Sequence, residues 1–340
     1  MSASHVIDVR NLRTHFHTEK GRVTAVDDVS FHVDRNEVLG VVGESGCGKS
    51  VTSEAIMQLL NPDITDFEGE IIFDGENLLA LGEDKLARIR GKDISMIFQD
   101  TTSSLNPLYT VGDQIIEALQ AHGRYSRKAA AETALKVVTS TGIPSPDKRL
   151  KEYPHELSGG MRQRIMIAMA LVCEPKLLIA DEPTTALDVT TQAQILDLII
   201  QMKSDLDMGV IFITHDMGVV AEICDRVAVM YLGQVIEDST VESLFEAPLH
   251  PYTKGLMQAM PTIESDPKAD LHTIKGKVPS LTDVPEGCRF AARCPFMTEK
   301  CVSHAPTLEV ATGGHKVRCW HWKAIAEGTA PEAGTEAVIA

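Results

Sequence analysis

Residues 43–50 read Gly43-Glu44-Ser45-Gly46-Cys47-Gly48-Lys49-Ser50, a glycine-rich loop closed by a lysine and a hydroxyl. The spacing of Gly43, Gly48, Lys49 and Ser50 fits the phosphate-loop pattern G-x-x-x-x-G-K-[ST]. Glycines let the backbone curl until successive N–H groups face phosphate oxygens, and the helix that follows adds its positive N-terminal end. The apolar run Val38 to Val42 before the loop reads as a buried strand, and Lys49 to Leu60 after it as a helix. Lys49 is expected to reach the β- and γ-phosphates and Ser50 to ligate Mg²⁺. Glu44, Ser45, Gly46, Cys47 and Val51 complete the expected nucleotide-binding set. The bland alternative is a glycine-rich turn with no ligand, and the flanking strand and helix count against it.

Working outward, Val6–Val9, Val23–Val26 and Val29–Val33 read as strands, and Glu70–Phe73 as another that ends in the Asp74-Gly75 turn signal. Residues 111 to 141 turn helical. Leu177–Ala180 and Val210–Thr214 are short and wholly apolar, the mark of a parallel sheet covered on both faces. Val227–Tyr231 and Gln234–Glu237 flank Leu232-Gly233 and suit a hairpin. The fold class is α/β.

Two further stretches carry chemistry. Leu177-Leu178-Ile179-Ala180-Asp181-Glu182 is an apolar strand ending in two carboxylates. Asp181 can hold Mg²⁺, and Glu182 can orient and deprotonate an attacking water. Alone, a strand ending in Asp-Glu is an ordinary exposed strand end; the phosphate loop gives the pair its meaning. Leu157-Ser158-Gly159-Gly160-Met161 opens a helix with Ser158 at the N-cap, where two glycines permit close approach to an anion.

This ordered set resembles the nucleotide-binding subunit of ATP-binding-cassette (ABC) transporters. The resemblance implies a P-loop NTPase domain with a RecA-like core, a β-subdomain and a helical subdomain. It also implies that Ser158, Gly159, Gly160 and Met161 clamp ATP held by the opposite subunit of a head-to-tail dimer. Gln99 resembles the family's Mg²⁺-sensing glutamine, Asp188 of Ala186-Leu187-Asp188 the dimer loop, and His215 the switch histidine that contacts the γ-phosphate. With Glu182 these give the catalytic set Glu182, His215 and Gln99, with Mg²⁺ held through Ser50, Gln99 and Asp181. Phe16 is the candidate adenine-stacking ring, with His17 its rival and a plain core role its bland alternative. The family usually has Gln where this chain has Met161, so one amide is lost there.

Charge and composition narrow the class. Lys+Arg 32 against Asp+Glu 48 gives a net charge of −16, which argues against a dedicated nucleic-acid binder. No apolar run approaches the roughly 18 residues of a membrane span, and the first residues do not read as a signal peptide. The expected location is therefore the cytoplasmic side of a bacterial inner membrane, held there by integral partners.

After Phe245 prolines punctuate the chain, marking a loop-rich appendage. The expected boundaries are 1–247 for the nucleotide-binding domain, 248–324 for the extension and 325–340 for a disordered tail. His250-Pro251-Tyr252-Thr253-Lys254-Gly255-Leu256 and the Gly-Cys-x5-Cys-Pro-x5-Cys pattern from Gly287 to Cys301 resemble the extension of oligopeptide and dipeptide importer ATPases, with nickel importers as near relatives. The resemblance implies two permease subunits, a second ATPase subunit (a heterodimer, or else a homodimer) and an extracytoplasmic binding protein as partners. A soluble ABC ATPase of DNA repair or translation is the alternative of another class; the coiled-coil insertions or paired cassettes typical of those proteins are not seen. A scaffold with a dead site is disfavoured by the presence of Lys49, Asp181, Glu182 and His215 together.

Cys288, Cys294, Cys301 and Cys319 cluster while Cys47, Cys173 and Cys224 scatter. Disulfides are the weaker reading in a reducing compartment. Some relatives hold a 4Fe–4S cluster in this extension, and four thiolates are the usual complement for one. Spacings of x5, x6 and x17 differ from the paired Cys-x2-Cys of common zinc sites, although zinc and unligated thiols stay as alternatives. The cluster is expected to fold the appendage without taking part in hydrolysis, so that loosening the appendage leaves ATP binding largely intact.

Overall fold

The structure is a computed structural model that describes residues 5–19, 21–99, 104–185, 187–260 and 273–330. The chain falls into two compact units, one of Met1–Ile7, His32–Val38 and Ile72–Ile213, the other of Asp8–Phe31, Leu39–Ile71 and Thr214–Ala340. Neither unit is one continuous stretch.

In the first unit, strands Ile94–Ile97, Leu177–Asp181 and Gly209–Thr214 pair in parallel, with Met96 opposite Ile179 and Ile179 opposite Ile211. Every residue of the latter two strands is buried, as their unbroken apolar runs predict. The expected helical stretch 111–141 is two helices, Val111–His122 and Arg127–Ser140. The break falls where Gly123 takes an extended backbone and Ser126 restarts the helix by accepting the Ala129 N–H. Helices Gly159–Leu171 and Val189–Leu206 are capped in the same way by Ser158 and Asp188. Each such cap is worth ~1 kcal/mol. Asp74 and Gly75 both have positive φ and turn Thr65–Phe73 back onto Glu76–Asn77, the hairpin that the sequence signals.

In the second unit, Ile7–Thr18 lies between Gly21–Val33 and Thr65–Phe73. The first two are longer than expected: the strand beginning near Val6 continues to Thr18, and the two segments 23–26 and 29–33 are one strand. Their polar residues are accommodated by side-chain pairing, as between Arg13 Nε and Asp27 at 3.0 Å. Arg226–Tyr231 pairs in parallel with Val38–Val42 and antiparallel with Gln234–Thr240. Leu232 and Gly233, at φ 43° and 80°, form the turn between the last two. The short strands Lys316–Val317 and Glu309–Val310 extend this sheet beyond Gln234–Thr240. The helix after the phosphate loop is Lys49–Ile56, four residues shorter than expected, because Gln58 enters the left-handed region at φ 51°.

Candidate functional site

The second unit carries the phosphate loop between Val38–Val42 and Lys49–Ile56. Its glycines are demanded by space as well as by conformation. A Cβ on Gly43 (φ +155°) would stand 2.2 Å from the Met230 carbonyl oxygen, and one on Gly48 (φ +100°) 2.8 Å from that of Ala25. The loop is tied to its neighbours by Gly233 N–H donating to Cys47 O at 2.8 Å. Lys49 is buried, and its Nζ donates to Gly43 O at 2.7 Å and to Glu44 O at 3.3 Å. Burial pushes the Cys47 thiol up. Ser45 and Gly46 are exposed, and Ser50 is half-buried.

Glu44 is held by two residues far along the chain. Its N–H donates to the Tyr252 hydroxyl at 2.8 Å. Its carboxylate accepts a fork from Arg293, Nη1 to Oε2 at 2.6 Å and Nη2 to Oε1 at 3.0 Å. Of the other expected residues in this unit, Phe16 is half-buried in its strand. The rival His17 is exposed and engaged with Asp66 Oδ2 at 2.6 Å. His215 is exposed just before helix Met217–Ile223, whose N-cap Asp216 accepts the Gly218 N–H at 2.8 Å.

In the first unit Asp181 ends a buried strand, and Glu182 follows it at φ 47° with its N–H donated to Ile213 O at 2.9 Å. A non-glycine residue held in that region carries backbone strain that the surrounding contacts must maintain. The Glu182 Oε2 accepts from Gln99 Nε2 and from Thr185 Oγ1, both at 3.0 Å. The expected residues 158–161 and Asp188 lie further along this unit's chain. Ser158 Oγ accepts the Met161 N–H at 3.3 Å, Ser158 and Gly159 are exposed, and a Cβ at Gly159 would meet nothing within 4 Å. Asp188 caps its helix through Thr191, whose N–H and hydroxyl hold the carboxyl below the usual range. Ala186 of the expected dimer loop lies outside the described residues.

The appendage brings its cysteines together. Cys288, Cys294, Cys301 and Cys319 line one small cavity of about 10 Å³ with His250, Phe290 and Trp320 among its other walls. Burial pushes the thiols of Cys288 to about 11 and of Cys294 and Cys319 to about 12. Gly287 is required for this convergence, since a Cβ there would lie 2.2 Å from the Cys301 carbonyl oxygen. Among the described residues, the group of His, Cys, Asp and Glu ligand atoms within 4.8 Å of one another is His5, His32 and Asp34, so no three of the four sulfurs are that close.

Comparison with known proteins agrees with the motif reading. The ABC transporter family matches residues 26–185, and the oligopeptide/dipeptide transporter C-terminal region matches 236–301. A probable peptide ABC transporter ATP-binding protein of Sinorhizobium fredii is 52% identical over 93% of this chain and 94% of its own. The dipeptide transport ATP-binding protein DppD of Bacillus subtilis is 51% identical over 93% of this chain and 94% of its own. This chain belongs to the family of ABC transporter ATP-binding proteins. A dimeric ABC transporter cassette, MJ0796, shares the fold at a TM-score of 0.62 and 28% identity, covering 69% of this chain and 98% of that one.

Three residues of this ABC ATPase escaped sequence reading. Gln163 is buried in the helix after Ser158, and its Nε2 donates to Pro183 O at 2.5 Å, tying that helix to the loop after Glu182. Tyr252 and Arg293 join the appendage to the phosphate loop, a link that the expected independence of the two did not include. Only the flanking aromatic and cysteine pattern marked their neighbourhood; nothing local announced the partner.

Proposed function

We propose that this ABC ATPase drives a membrane importer of dipeptides or oligopeptides. The observation that carries the reading is the match of 236–301 to the oligopeptide/dipeptide transporter C-terminal region, joined to identity of about one residue in two with peptide-transport ATP-binding proteins. In this reading Gly43 to Val51 hold the triphosphate, with Lys49 on the β- and γ-phosphates and Phe16 on the adenine. Mg²⁺ is held through Ser50, Gln99 and Asp181. Glu182 deprotonates the attacking water and His215 contacts the γ-phosphate. The hydrogen bond from Gln99 to Glu182 supports their acting on one water.

Ser158 to Met161 and Asp188 serve ATP across a dimer, most simply with a second ATPase subunit of the same kind. The capped, exposed helix start at Ser158 supports this role. The nucleotide-binding domain runs over 1–247 with RecA-like, β and helical subdomains and the extension over 248–324; the tail expected from 325 is not disordered at its start, where residues 325 and 326 close helix Trp322–Ala326 and Ile325 is buried. Among the described residues no helix is long and apolar enough to cross a membrane, so attachment to the cytoplasmic face depends on two permease subunits. A cavity of about 640 Å³ lined by Asn106, Tyr109, Gln114 and Met169, beside the exposed Leu108, suits a short permease helix. We take residues 99–114, which follow the glutamine that resembles the family's Mg²⁺ sensor, as the segment that docks this helix; of them, 100–103 lie outside the described residues.

A 4Fe–4S cluster is proposed from the donor set, since four cysteines, the usual complement of such a cluster, line one small cavity. Such a cluster supplies a cross-link within a segment that has little core of its own. Deleting the gene and following uptake of labelled di- and tetrapeptides tests the transport reading. Loss of peptide uptake with intact nickel uptake is expected; unchanged peptide uptake would overturn it.

A further inference from the structure

A carboxylate in the phosphate loop needs an explanation, because a negative charge beside a triphosphate repels it. Glu44 is that carboxylate, and Arg293 donates a fork of two hydrogen bonds to it. Arg293 has five N–H donors and the structure accounts for all of them. Two go to Glu44, one from Nη1 to Tyr231 Oη at 3.4 Å, one from Nη2 to Ile274 O at 3.3 Å and one from Nε to Lys275 O at 3.0 Å. The side chain is only 4% exposed and its guanidinium lies 5.8 Å and 5.9 Å from the ring centroids of Tyr231 and Phe290. A planar fork of this kind fixes direction as well as charge.

The backbone that carries Arg293 is equally determined. Residues Ala291–Arg293 form one short helical turn between Cys288 and Cys294. Ala291 N–H donates to Cys288 O at 3.0 Å, and Cys294 N–H to Ala291 O at 3.1 Å. Phe290 packs on Tyr231 and Tyr252 at 5.2 Å and 5.5 Å, so the ring that supports Arg293 also touches the tyrosine that holds the Glu44 N–H.

We propose that Arg293 is a positioning residue for nucleotide, neutralising Glu44 and drawing its carboxylate away from the phosphates, so that the cysteine-flanked turn sets the affinity for ATP. The inference goes beyond the family's activity and rests on Gly43 to Ser50 being the nucleotide loop. Because linkage is reciprocal, ATP and the order of the turn favour each other.

A double-mutant cycle on the full-length protein, read by equilibrium ATP binding, tests it. Arg293→Met frees a charged Glu44 and is expected to weaken ATP about tenfold, with a smaller loss for AMP. Glu44→Gln removes the carboxylate's charge and, whatever its own affinity, is the reference for the second arm of the cycle. In that background, adding Arg293→Met is expected to change ATP affinity by less than about threefold, a loss of coupling that a merely structural arginine would not show. An equal tenfold loss on adding Arg293→Met to Glu44→Gln, or an Arg293→Met with wild-type affinity, overturns the proposal. Should Arg293→Met fail to fold, Arg293→Lys, which keeps the charge and loses the fork, is expected to weaken ATP about threefold and to lose that effect in the Glu44→Gln background; an equal loss there overturns the proposal equally. Lys49→Ala checks the premise separately, because ATP binding that survived it would fault the loop assignment and not the role of Arg293.

Discussion

Removing the Glu237 side chain should detach the appendage from the hairpin that carries it. Glu237 is fully buried in strand Gln234–Thr240 and serves three donors at once. Its Oε1 accepts the Leu249 N–H at 2.6 Å and His315 Nε2 at 2.7 Å, and its Oε2 accepts the His250 N–H at 2.9 Å. Leu249 and His250 lead into helix Pro251–Gln258, and His315 precedes the strand Lys316–Val317, so one carboxylate fastens two separate approaches of the chain. Glu237→Ala leaves those donors without an acceptor in a region closed to water. Each orphaned buried donor costs ~1–3 kcal/mol, and breaking a buried pair by removing one partner costs ~3–5 kcal/mol. The lower total applies if water enters, so a loss of about 3–5 kcal/mol in local stability is expected. At 1.4 kcal/mol per tenfold, amide exchange at Leu249, His250 and residues 316–318 should accelerate by roughly 10²–10³ or more. Hydrogen-exchange mass spectrometry of the wild type, Glu237→Ala and Glu237→Gln measures this directly. The glutamine keeps one acceptor and should fall between the others. Acceleration below tenfold in Glu237→Ala would refute the argument that this carboxylate bears the attachment.

Three other outcomes are expected. Glu182→Gln preserves shape while removing the proposed base, so ATP binding should persist and turnover should fall by ~10²–10⁴; turnover near wild type removes Glu182 from that role. His250 is fully buried and its Nδ1 accepts the Tyr252 N–H at 3.0 Å, and burial lowers its pKa from 6.5 to about 4. The unfolded chain therefore takes up this proton first: stability is full above about pH 6.5 and is lost as pH falls toward 4, by roughly 3 kcal/mol. Chemical denaturation of the wild type against His250→Asn, which also caps a helix, should show the variant free of that acid loss. Protein purified without oxygen should contain iron and acid-labile sulfide that Cys301→Ser lacks; stoichiometric zinc with no sulfide excludes the cluster.

By itself the sequence determined whatever is written in neighbouring residues. The phosphate loop is eight consecutive residues between a strand and a helix, and its glycines obey local rules of conformation and approach. The buried strands Leu177–Asp181 and Gly209–Thr214 announced themselves by unbroken apolar runs, and Ser158 by its place before a helix. Family resemblance then gave these separate pieces their expected roles. Tertiary structure alone decided how far strand Ile7–Thr18 runs, because pairing such as Arg13 to Asp27 satisfies polar residues that look unlike a strand. It alone also joined Arg293 and Tyr252 to Glu44, across 249 and 208 positions of chain. The physical reason is that a hydrogen bond needs atoms within about 3 Å in space and is indifferent to distance along the chain. No local pattern encodes which arginine a given carboxylate will meet; only the packing of the appendage against the hairpin brings this pair within reach.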